Sequence, residues 1–517
     1  MSPTTPHNQD LDRKIDAILN EADRMFIASS VDGNSSGAAV FFARDGHDIV
    51  FFTFHPTRKA EQIRANPRVQ LVIWPKGQEG IRGLQIDGLC YKIKDEEEQR
   101  KARELVLETT TAFQDMMDDE FLLKNKVVGF YRVKPTVTKY VDFFAEKKFE
   151  WREYTENQVG VFRDMALSLL RRLGLWVRAV RAPFFTATIV PVLLGGVIAY
   201  SSLSSTGAPD IWSWSTFWWV LAGALLAQAG TNMANDYFDH TTRNDEINKL
   251  FSPFTGGSRM IQAGLLPPWK VLFAALASFA GAIAVGLKLN AAITGAPFGV
   301  SPLLWIGIVG VALGLLYTMG PVRLGYRGLG EPAIALGFGP VMVLGTHYVL
   351  TAPYLQAAGN TWAWQTPLLA SLPVGILIML VVWINQFQDI PADEAVGKNT
   401  WVVRLADTGP NLIHYERPLR YYAIFNIISF SLILALGIIG FVKPTLATPF
   451  VLISLLPAIL VAYAIKWGRE WISRWNQPGA DRQRLPYELL KVNVSAVGIH
   501  FFTGVLLVAG YWLDAAL

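Results

Sequence analysis

Two acidic stretches decide the fold of this chain: NMANDYFD at residues 232–239 and NQFQDIPAD at residues 385–393. Each one follows a long apolar run. Asn and Asp recur at positions i, i+4 and i+7 in the first stretch and at i, i+4 and i+8 in the second, so on a helix each set occupies one face. Carboxylates at the end of a membrane span are costly to bury, and they therefore indicate a functional site.

The sequence from 175 to 517 contains about nine apolar segments. They lie near 184–202, 214–235, 270–288, 303–320, 330–351, 366–386, 420–441, 447–466 and 494–514. Most approach the roughly 20 residues that a membrane-spanning helix requires. The chain has 517 residues, 51% hydrophobic and 17% charged, which is too long for one ordinary soluble core. We predict an all-α polytopic membrane bundle of about nine transmembrane helices for this part.

Basic residues are unevenly distributed between the loops of this predicted bundle. If the residues before the first span lie in the cytoplasm, the loops on the opposite side carry only Lys288 and Lys443. The loops on the cytoplasmic side carry Arg243, Lys249, Arg259, Arg323, Arg327, Lys398, Arg404, Arg417, Lys466, Arg469, Arg474, Arg482 and Arg484. This asymmetry follows the positive-inside rule. It predicts a multi-pass protein of the cell (inner) membrane, with the N-terminal domain and the active-site loops in the cytoplasm.

Residues 1–145 have the character of a separate α+β domain. Runs rich in Val, Ile and Phe, separated by Gly, Asp, Asn and Pro, predict strands near 25–30, 37–43, 49–54, 69–74, 84–93 and 127–133. Short strands at this spacing favour a split β-barrel. A charged connector, 146–174, precedes the membrane domain at 175–517.

Two features of the composition limit the classes of function. Cys90 is the only cysteine, which excludes an internal disulfide and a cysteine-based metal site. The net charge of +4 is ordinary for a membrane protein and gives no reason to expect a nucleic-acid partner.

The two polar stripes predict a site for a hard cation and a diphosphate. Mg²⁺ prefers oxygen ligands and commonly binds carboxylates together with substrate phosphates. Three basic residues near the stripes, Arg259, Lys398 and Arg404, can hold the remaining phosphate oxygens. We expect Pro391 to end or kink the second helix.

The residues alone leave two other interpretations open. A single Asp at the end of a span can simply cap the helix or be solvated. An ion-coupled transporter also places acidic residues within its spans. A metal requirement with release of diphosphate would distinguish an enzyme from a transporter.

The chain resembles the UbiA-type intramembrane prenyltransferases in NDYFD at 235–239 with Asp245, and in the run from Asn385 to GKNTWVVRL at 397–405. Within that family it is most similar to the 1,4-dihydroxy-2-naphthoate polyprenyltransferases of menaquinone synthesis. The resemblance covers about 175–515. Further stretches that agree are RAP at 181–183, GGSR at 256–259, LYTMGP at 316–321, LGYRGLGE at 324–331 and FGP at 338–340.

The resemblance implies a role for each acidic residue. It implies that the catalytic residues, which bind magnesium and the diphosphate, are Asp236, Asp239, Asp389 and Asp393. The substrate-binding residues expected around them are Asn232, Asn235, Asp245, Arg259, Tyr317, Asn385, Lys398 and Arg404. An aromatic ring such as that of Tyr317 can stabilise a developing allylic cation.

The implied reaction is a magnesium-dependent transfer of a polyprenyl group from a prenyl diphosphate to an aromatic acceptor. If the acceptor is 1,4-dihydroxy-2-naphthoate, its carboxylate is lost as carbon dioxide. The dihydroxynaphthoate enzymes usually carry Arg just before the first Asp of the second motif, where this chain has Gln388. Hydroxybenzoate and homogentisate are therefore alternative acceptors. A membrane transporter with a flavin-type cytoplasmic domain is the alternative function.

The N-terminal domain resembles the pyridoxamine 5′-phosphate oxidase-like split barrels in TFHPTRKAEQIRANPRV at 53–69, RGLQIDG at 82–88 and YRVKP at 131–135. In that superfamily a Thr and an adjacent Arg-Lys pair bind the flavin phosphate, which implies Thr53, Arg58 and Lys59 as FMN-binding residues. A hydroxyl and two cations at one strand–helix junction suit a phosphate dianion. A deazaflavin, haem or no cofactor are alternatives. Because such barrels commonly pair, we expect a homodimer through this domain.

Overall fold

The computed structural model describes residues 6–54, 57–75, 82–110, 128–154, 157, 170–248, 250, 252, 254–408, 413–477, 479–480 and 485–517. The chain divides into two compact units. The first comprises Met1–Arg178 with Met260–Pro267, and the second comprises Ala179–Arg259 with Pro268–Leu517. Parts of some predictions lie outside the described residues: the start of the strand at 127, the connector residues 158–169, and the loop cations Lys249, Arg482 and Arg484.

The first unit alternates short strands with helices. The strands are β1 Arg24–Val31, β2 Asn34–Asp45, β3 Asp48–Phe54, β4 Arg68–Ile73, β5 Arg82–Lys92, β6 Val128–Asp142 and β7 Phe149–Glu153. The helices are α1 Pro6–Glu21, α2 Arg58–Ala65 and α3 Glu96–Thr109, and residues 170–179 are also helical.

The strands of the first unit close into a barrel. They pair antiparallel in the order β3-β2-β1-β4-β5-β6-β7, and β3 also pairs with β6. Alternate side chains of the strands, such as Met25 and Ile27 of β1, point into a hydrophobic core because successive side chains of a strand face opposite ways. Phe51 is fully buried in that core and stacks on Tyr131. The predicted split barrel is confirmed.

The barrel sheet extends further along the chain than the sequence predicts. The last predicted strand, 127–133, continues as β6 to Asp142. Strand β7 pairs with β6 from Phe149 to Glu153, within the stretch expected to be a connector at 146–174. The first unit therefore extends beyond residue 145.

The second unit is helical apart from one two-residue β pair. Its helices are α4 Thr186–Ser205, α5 Trp214–Thr241, α6 Asn244–Ile247, α7 Pro268–Thr294, α8 Pro302–Leu316, α9 Gly330–Leu336, α10 Met342–Ala358, α11 Gln365–Ala395, α12 Trp401–Leu405, α13 Glu416–Val442, α14 Ala458–Trp475, α15 Leu485–Glu488 and α16 Leu490–Ala516. The short pair is β8 Asp407–Thr408 with β9 Ile413–His414.

Each of the nine predicted apolar segments coincides with a helical stretch. Within the described residues, seven stretches are long and apolar enough to cross a membrane: Ala182–Ser205, Pro268–Thr294, Gly330–Ala358, Gln365–Ala395, Glu416–Val442, Pro449–Trp475 and Leu485–Ala516. The other two are α5, which has 28 residues but ends in polar ones, and α8, which has 15 residues. The helical membrane bundle is confirmed, with about nine as an approximate count.

Helix α11 does not end at Pro391, which rules out one of the two effects expected from the sequence. The helix continues to Ala395. Pro391 lies on its exposed side, whereas the neighbouring Ala392 and Asp393 are buried. Packing of the buried face maintains the helix although proline removes one of its hydrogen bonds. As a result, Asp389 and Asp393 lie on one continuous helix.

Candidate active site

The two acidic stripes meet at one polar cavity of about 190 Å³ in the second unit. One stripe is carried by the last turns of α5 and the other by the last turns of α11. The predicted residues that line the cavity are Asn232, Asn235, Asp239, Asp245, Tyr317, Asn385, Asp389, Asp393 and Lys398. The structure therefore brings together most of the residues that the sequence selects, from positions more than 100 residues apart in the chain.

Lys398 connects the two stripes directly. Its ammonium nitrogen lies 3.2 Å from Oδ2 of Asp239 and 3.5 Å from Oδ1 of Asp393. Burial acts to lower the pKa of Lys398, but the two carboxylates outweigh it and hold the pKa well above its usual range. This environment favours the protonated, positively charged form of Lys398 between the carboxylates of the two stripes.

Two asparagines after α5 hold the carboxylates of α11. Asn244 donates to Oδ1 of Asp393 at 2.8 Å, and Asn248 donates to Oδ1 of Asp389 at 2.7 Å. Both asparagines are buried and both line the cavity. The sequence analysis missed them, although their four-residue spacing just after the first stripe is the signal that could have found them.

Asp236 is held beside the cavity rather than in its lining. Its carboxylate pairs with Arg181, which also donates to Oδ1 of Asn235 at 3.4 Å. The backbone N–H of Ser258 donates to the Asp236 carboxylate as well, at 3.2 Å. Arg181 itself lines the cavity and was not among the predicted site residues. Its position directly before the first apolar segment is the signal in the sequence.

Within the first stripe, side chains fix one another's orientation. Asn235 donates to Oδ2 of Asp239 at 2.9 Å, and the hydroxyl of Tyr326 donates to Oδ1 of the same carboxylate at 3.1 Å. Asn232 instead donates to the backbone carbonyl of Val180 at 2.9 Å. Burial and the charges of Asp239 and Asp236 raise the pKa of the nearby Asp245 well above its usual range. This environment favours the protonated form of Asp245.

Two predicted substrate-binding arginines donate to backbone carbonyls instead of lining the cavity. Arg259 donates to the carbonyls of Asp245 and of Asn248, the latter at 3.1 Å. Arg404 donates to the carbonyls of Asn399 at 3.0 Å and Arg327 at 2.6 Å. In this structure both guanidinium groups stabilise loops around the site.

Both polar atoms of the Gln388 side chain form hydrogen bonds within the protein. Its amide oxygen accepts from the hydroxyl of Thr255 at 2.7 Å, and its amide nitrogen donates to the carbonyl of Pro486 at 2.6 Å. The side chain is buried and does not belong to the cavity lining. The residue that stands in place of the usual Arg therefore connects α11 to α15 and to the loop that contains Thr255.

The oxygen atoms of the site fit a magnesium–diphosphate group. Oδ2 of Asp393 and Oδ1 of Asn244 are buried without a hydrogen-bond partner. Within the described residues, no three His, Cys, Asp or Glu side chains converge as they would around a metal ion held by protein alone. Mg²⁺ is typically held by one or two carboxylates plus substrate phosphates, and the unpaired oxygens of Asp393 and Asn244 are ligands of the kind it prefers.

An apolar cavity of about 220 Å³ adjoins the polar one. The two cavities share the lining residues Gln228, Thr231, Tyr317, Ile334 and Phe338. Away from this junction the apolar cavity is bordered by aliphatic side chains and glycines of α5, α7, α8 and α10. The combined space can hold a molecule with an anionic head at the carboxylates and a long hydrocarbon chain in the apolar part.

The three residues expected to bind FMN lie at the junction of β3 and α2. The Thr53 hydroxyl is 3.5 Å from that of Thr57, and Arg58 donates to the Ser35 carbonyl at 3.3 Å. The ammonium of Lys59 faces the ring of Phe51 at 5.7 Å. Arg58 and Lys59 thus contact different parts of the barrel, and their joint role with Thr53 in binding FMN stays a prediction.

A bundle of membrane helices that encloses paired carboxylates beside an apolar cavity suits an intramembrane protein that binds a lipid-like anion. The family model "UbiA prenyltransferase family" matches residues 188–478. This match covers more than half of the chain, and the chain belongs to that family. It is a multi-pass membrane enzyme that transfers prenyl groups, which confirms the resemblance found in the sequence.

Curated relatives agree with this assignment. The chain is 32% identical over 278 residues to the 1,4-dihydroxy-2-naphthoate octaprenyltransferase of Mycobacterium tuberculosis, covering 53% of this chain and 83% of the relative. It is 27% identical over 343 residues to the 2-carboxy-1,4-naphthoquinone phytyltransferase of Synechocystis sp., covering 65% of this chain and 92% of the relative.

The N-terminal part matches a second family model. Residues 11–134 match the model "Pyridoxamine 5'-phosphate oxidase". A solved structure titled as a putative pyridoxamine 5'-phosphate oxidase from Listeria innocua is 21% identical, covers 26% of this chain and 98% of that one, and has a TM-score of 0.22. The family match confirms the resemblance of this domain.

Proposed function

We propose that this enzyme transfers a polyprenyl group from a prenyl diphosphate to 1,4-dihydroxy-2-naphthoate, in a magnesium-dependent step of menaquinone biosynthesis. The observation that carries the proposal is the convergence of Asp239 and Asp393 on Lys398 in a polar cavity that adjoins an apolar one. The names of both relatives described above support a naphthoate-type acceptor.

The residues of the polar cavity would bind the diphosphate. Magnesium, when bound, neutralises charge that develops on the departing diphosphate. Asp236, Asp239, Asp389 and Asp393 are the residues that would hold it. Lys398 and Arg181, already beside these carboxylates, would pair with phosphate oxygens.

In the proposed reaction, the bond between the first prenyl carbon and the diphosphate oxygen breaks, and its electron pair leaves with the diphosphate. An electron-rich ring carbon of the acceptor forms the new bond to the prenyl carbon, and the ring then loses its carboxylate as carbon dioxide. Tyr317 lines both cavities, so its ring would face the carbon on which positive charge develops.

The apolar cavity would hold the prenyl chain and exclude water from the reacting carbon. We further propose that the barrel and the active-site loops face the cytoplasm of the cell (inner) membrane. The excess of Lys and Arg in the loops on that side supports this orientation.

The test is prenyl transfer by the detergent-purified full chain with 1,4-dihydroxy-2-naphthoate, a long-chain prenyl diphosphate and magnesium. Prenylated product should require magnesium and disappear in an Asp236→Ala, Asp389→Ala double variant. Asp514→Ala is the matched control, because Asp514 is a carboxylate of the same unit outside the cavity lining, and it should retain activity.

The alternative outcomes separate the competing functions. If diphosphate is released only with hydroxybenzoate or homogentisate, the enzyme is still a prenyltransferase, but 1,4-dihydroxy-2-naphthoate is not its acceptor. A chain that releases no diphosphate with any aromatic acid would contradict the proposal and favour a transporter.

We propose as a second function that the barrel binds FMN through Thr53, Arg58 and Lys59. The support is the grouping of a hydroxyl and two cations at one strand–helix junction, within a region that matches an oxidase family. The full chain should carry flavin absorbance or bind added FMN, and Arg58→Ala should weaken that binding. Arg100→Ala, an exposed arginine of α3, is the matched control. A full chain that neither contains nor binds FMN would contradict the proposal.

A further inference from the structure

His500 is a buried imidazole whose nitrogens are not satisfied by the protein. The residue lies on α16, is 2% exposed and lines the polar cavity. Neither Nδ1 nor Nε2 has a hydrogen-bond partner within the part of the chain that the structure describes. The backbone of Thr186 is a polar neighbour, but it makes no hydrogen bond of acceptable geometry.

The other buried histidine of the membrane bundle provides a contrast. His347 is also 2% exposed, but its Nδ1 accepts a hydrogen bond from the indole N–H of Trp362 at 3.0 Å. Its Nε2 lies 3.5 Å from the hydroxyl of Ser202. Buried polar groups are normally paired, because an unmade hydrogen bond costs the full desolvation of the group. His500 departs from this pattern at the wall of a cavity, where a ligand can supply its partner.

The cavity wall at His500 differs from the acidic end of the cavity. The carboxylates and Lys398 belong to α5, α11 and the loops that follow them, whereas His500 and Val497 come from α16. Gln386, whose amide oxygen is also buried and unpaired, lines the same cavity. The cavity thus offers uncharged polar groups in addition to its charged ones.

A neutral imidazole presents one donor and one acceptor. An aromatic acid with a hydroxyl next to its carboxylate presents the complementary pair, whereas a diphosphate presents acceptors only. We propose that a ring nitrogen of His500 binds the hydroxyl or the carboxylate of the aromatic acceptor and orients the acceptor's ring carbon toward the prenyl carbon. This inference rests on the proposed function, and it assigns the acceptor subsite to α16.

The first experiment compares His500→Phe with His500→Asn in the full chain. Phe fills the space without polar atoms, whereas Asn keeps one donor and one acceptor. We expect His500→Phe to raise the KM for 1,4-dihydroxy-2-naphthoate by about tenfold and to leave the KM for the prenyl diphosphate within about twofold. His500→Asn should recover part of the loss. His347→Phe, the matched control, should change neither KM.

The same preparation separates failure of this inference from failure of the proposed function. If the unmodified enzyme does not prenylate dihydroxynaphthoate, the proposed function fails. If it does, and His500→Phe leaves the KM for the acceptor unchanged or raises both KM values equally, then His500 does not bind the acceptor.

A second measurement uses the unmodified enzyme and is independent of the folding of any variant. Diethyl pyrocarbonate should modify His500, and peptide mass spectrometry should show that dihydroxynaphthoate protects it while inorganic diphosphate does not. Labelling that the acceptor leaves unchanged, or an imidazole that is never labelled, would overturn the proposal, because a residue that contacts the acceptor must be reachable from the cavity.

Discussion

Tyr326 connects several parts of the active site through one hydroxyl. It donates to Oδ1 of Asp239 at 3.1 Å and lies 2.8 Å from the hydroxyl of Thr242, and its ring faces the ammonium of Lys398 at 5.6 Å. Burial, followed by the charge of Asp239, raises the pKa of Tyr326 to about 12. The hydroxyl therefore keeps its proton at assay pH and orients the carboxylate as a donor.

We predict that Tyr326→Phe lowers kcat/KM for the prenyl diphosphate by about tenfold, because a hydrogen bond to a charged group contributes roughly 1.5–3 kcal/mol. Initial rates at varied prenyl diphosphate measure the effect. Tyr237→Phe, on α5 outside the cavity lining, is the control and should behave as the unmodified enzyme. Equal rates for the two variants would show that the Tyr326 hydroxyl does not orient Asp239.

Lys59 differs from an ordinary exposed lysine. Burial lowers its pKa to about 8. Below that pH the amine is protonated and unreactive, and above it the amine becomes a nucleophile. We predict that acetic anhydride labels Lys59 increasingly as the pH rises through about 8. Lys14 is the control, because its hydrogen bonds to Glu150 and Asp10 raise its pKa above the usual range. Peptide mass spectrometry measures the extent of labelling at both lysines. If labelling of Lys59 depends on pH in the same way as labelling of Lys14, the prediction is contradicted.

At the scale of elements, helix α11 approaches α9 and the adjoining segment Gly337–Val341 closely, and a glycine lies on each side of the contact. A Cβ on Gly339 would lie 2.9 Å from Cα of Gly375, and a Cβ on Gly375 would overlap the carbonyl of Ala335. Small residues allow such close backbone contact between membrane helices.

We predict that Gly375→Ala destabilises the membrane unit by about 1–3 kcal/mol, because the backbone of the neighbouring segment must shift to admit one methyl group. Thermal unfolding of the full chain in detergent measures the change. Gly286→Ala is the matched control, since a Cβ at Gly286 meets no atom within 4 Å. A Gly375→Ala variant as stable as the control would mean that the two segments separate without cost.

At the scale of the whole molecule, the two units have separate hydrophobic cores. One includes Met25, Ile27 and Phe51 of the barrel, and the other includes Trp383 and Phe387 of α11. Separate cores allow one unit to lose stability without the other.

We predict that Phe51→Ala, which empties a fully buried position, destabilises the barrel by about 3–5 kcal/mol and leaves prenyl transfer by the full chain unchanged below the barrel's unfolding temperature. Thermal unfolding and prenyl transfer are measured on one preparation. Phe144 lies in the same unit and its side chain is 84% exposed, so Phe144→Ala should change neither the thermal unfolding of the barrel nor the rate of prenyl transfer. A loss of transfer in Phe51→Ala alone would show that catalysis depends on the barrel.

Homodimerisation through the barrel stays a prediction of the family resemblance. The mass of the full chain in detergent, measured by light scattering, should correspond to two copies at micromolar concentration. A single copy under these conditions would contradict it.

Much of this protein follows from local properties of its sequence. Apolar segment lengths predict all nine helical stretches because the thickness of a bilayer sets the length of a span. Helical spacing predicts that Asp236 and Asp239, and likewise Asp389 and Asp393, share a face, since that depends only on 3.6 residues per turn. Short runs rich in Val, Ile and Phe, separated by Gly, Asp, Asn and Pro, predict the barrel, because strand and turn propensities are also local.

Only the tertiary structure shows the contacts between distant residues that build the active site. Asn244 and Asn248 hold the carboxylates of a helix more than 100 residues away, and Gln388 bonds to Thr255 and Pro486. Packing of its buried face carries α11 past Pro391, and His500 reaches the cavity from the last helix. Such contacts depend on which helices become neighbours and at what depth they cross, and the spacing of residues within one segment contains no information about either.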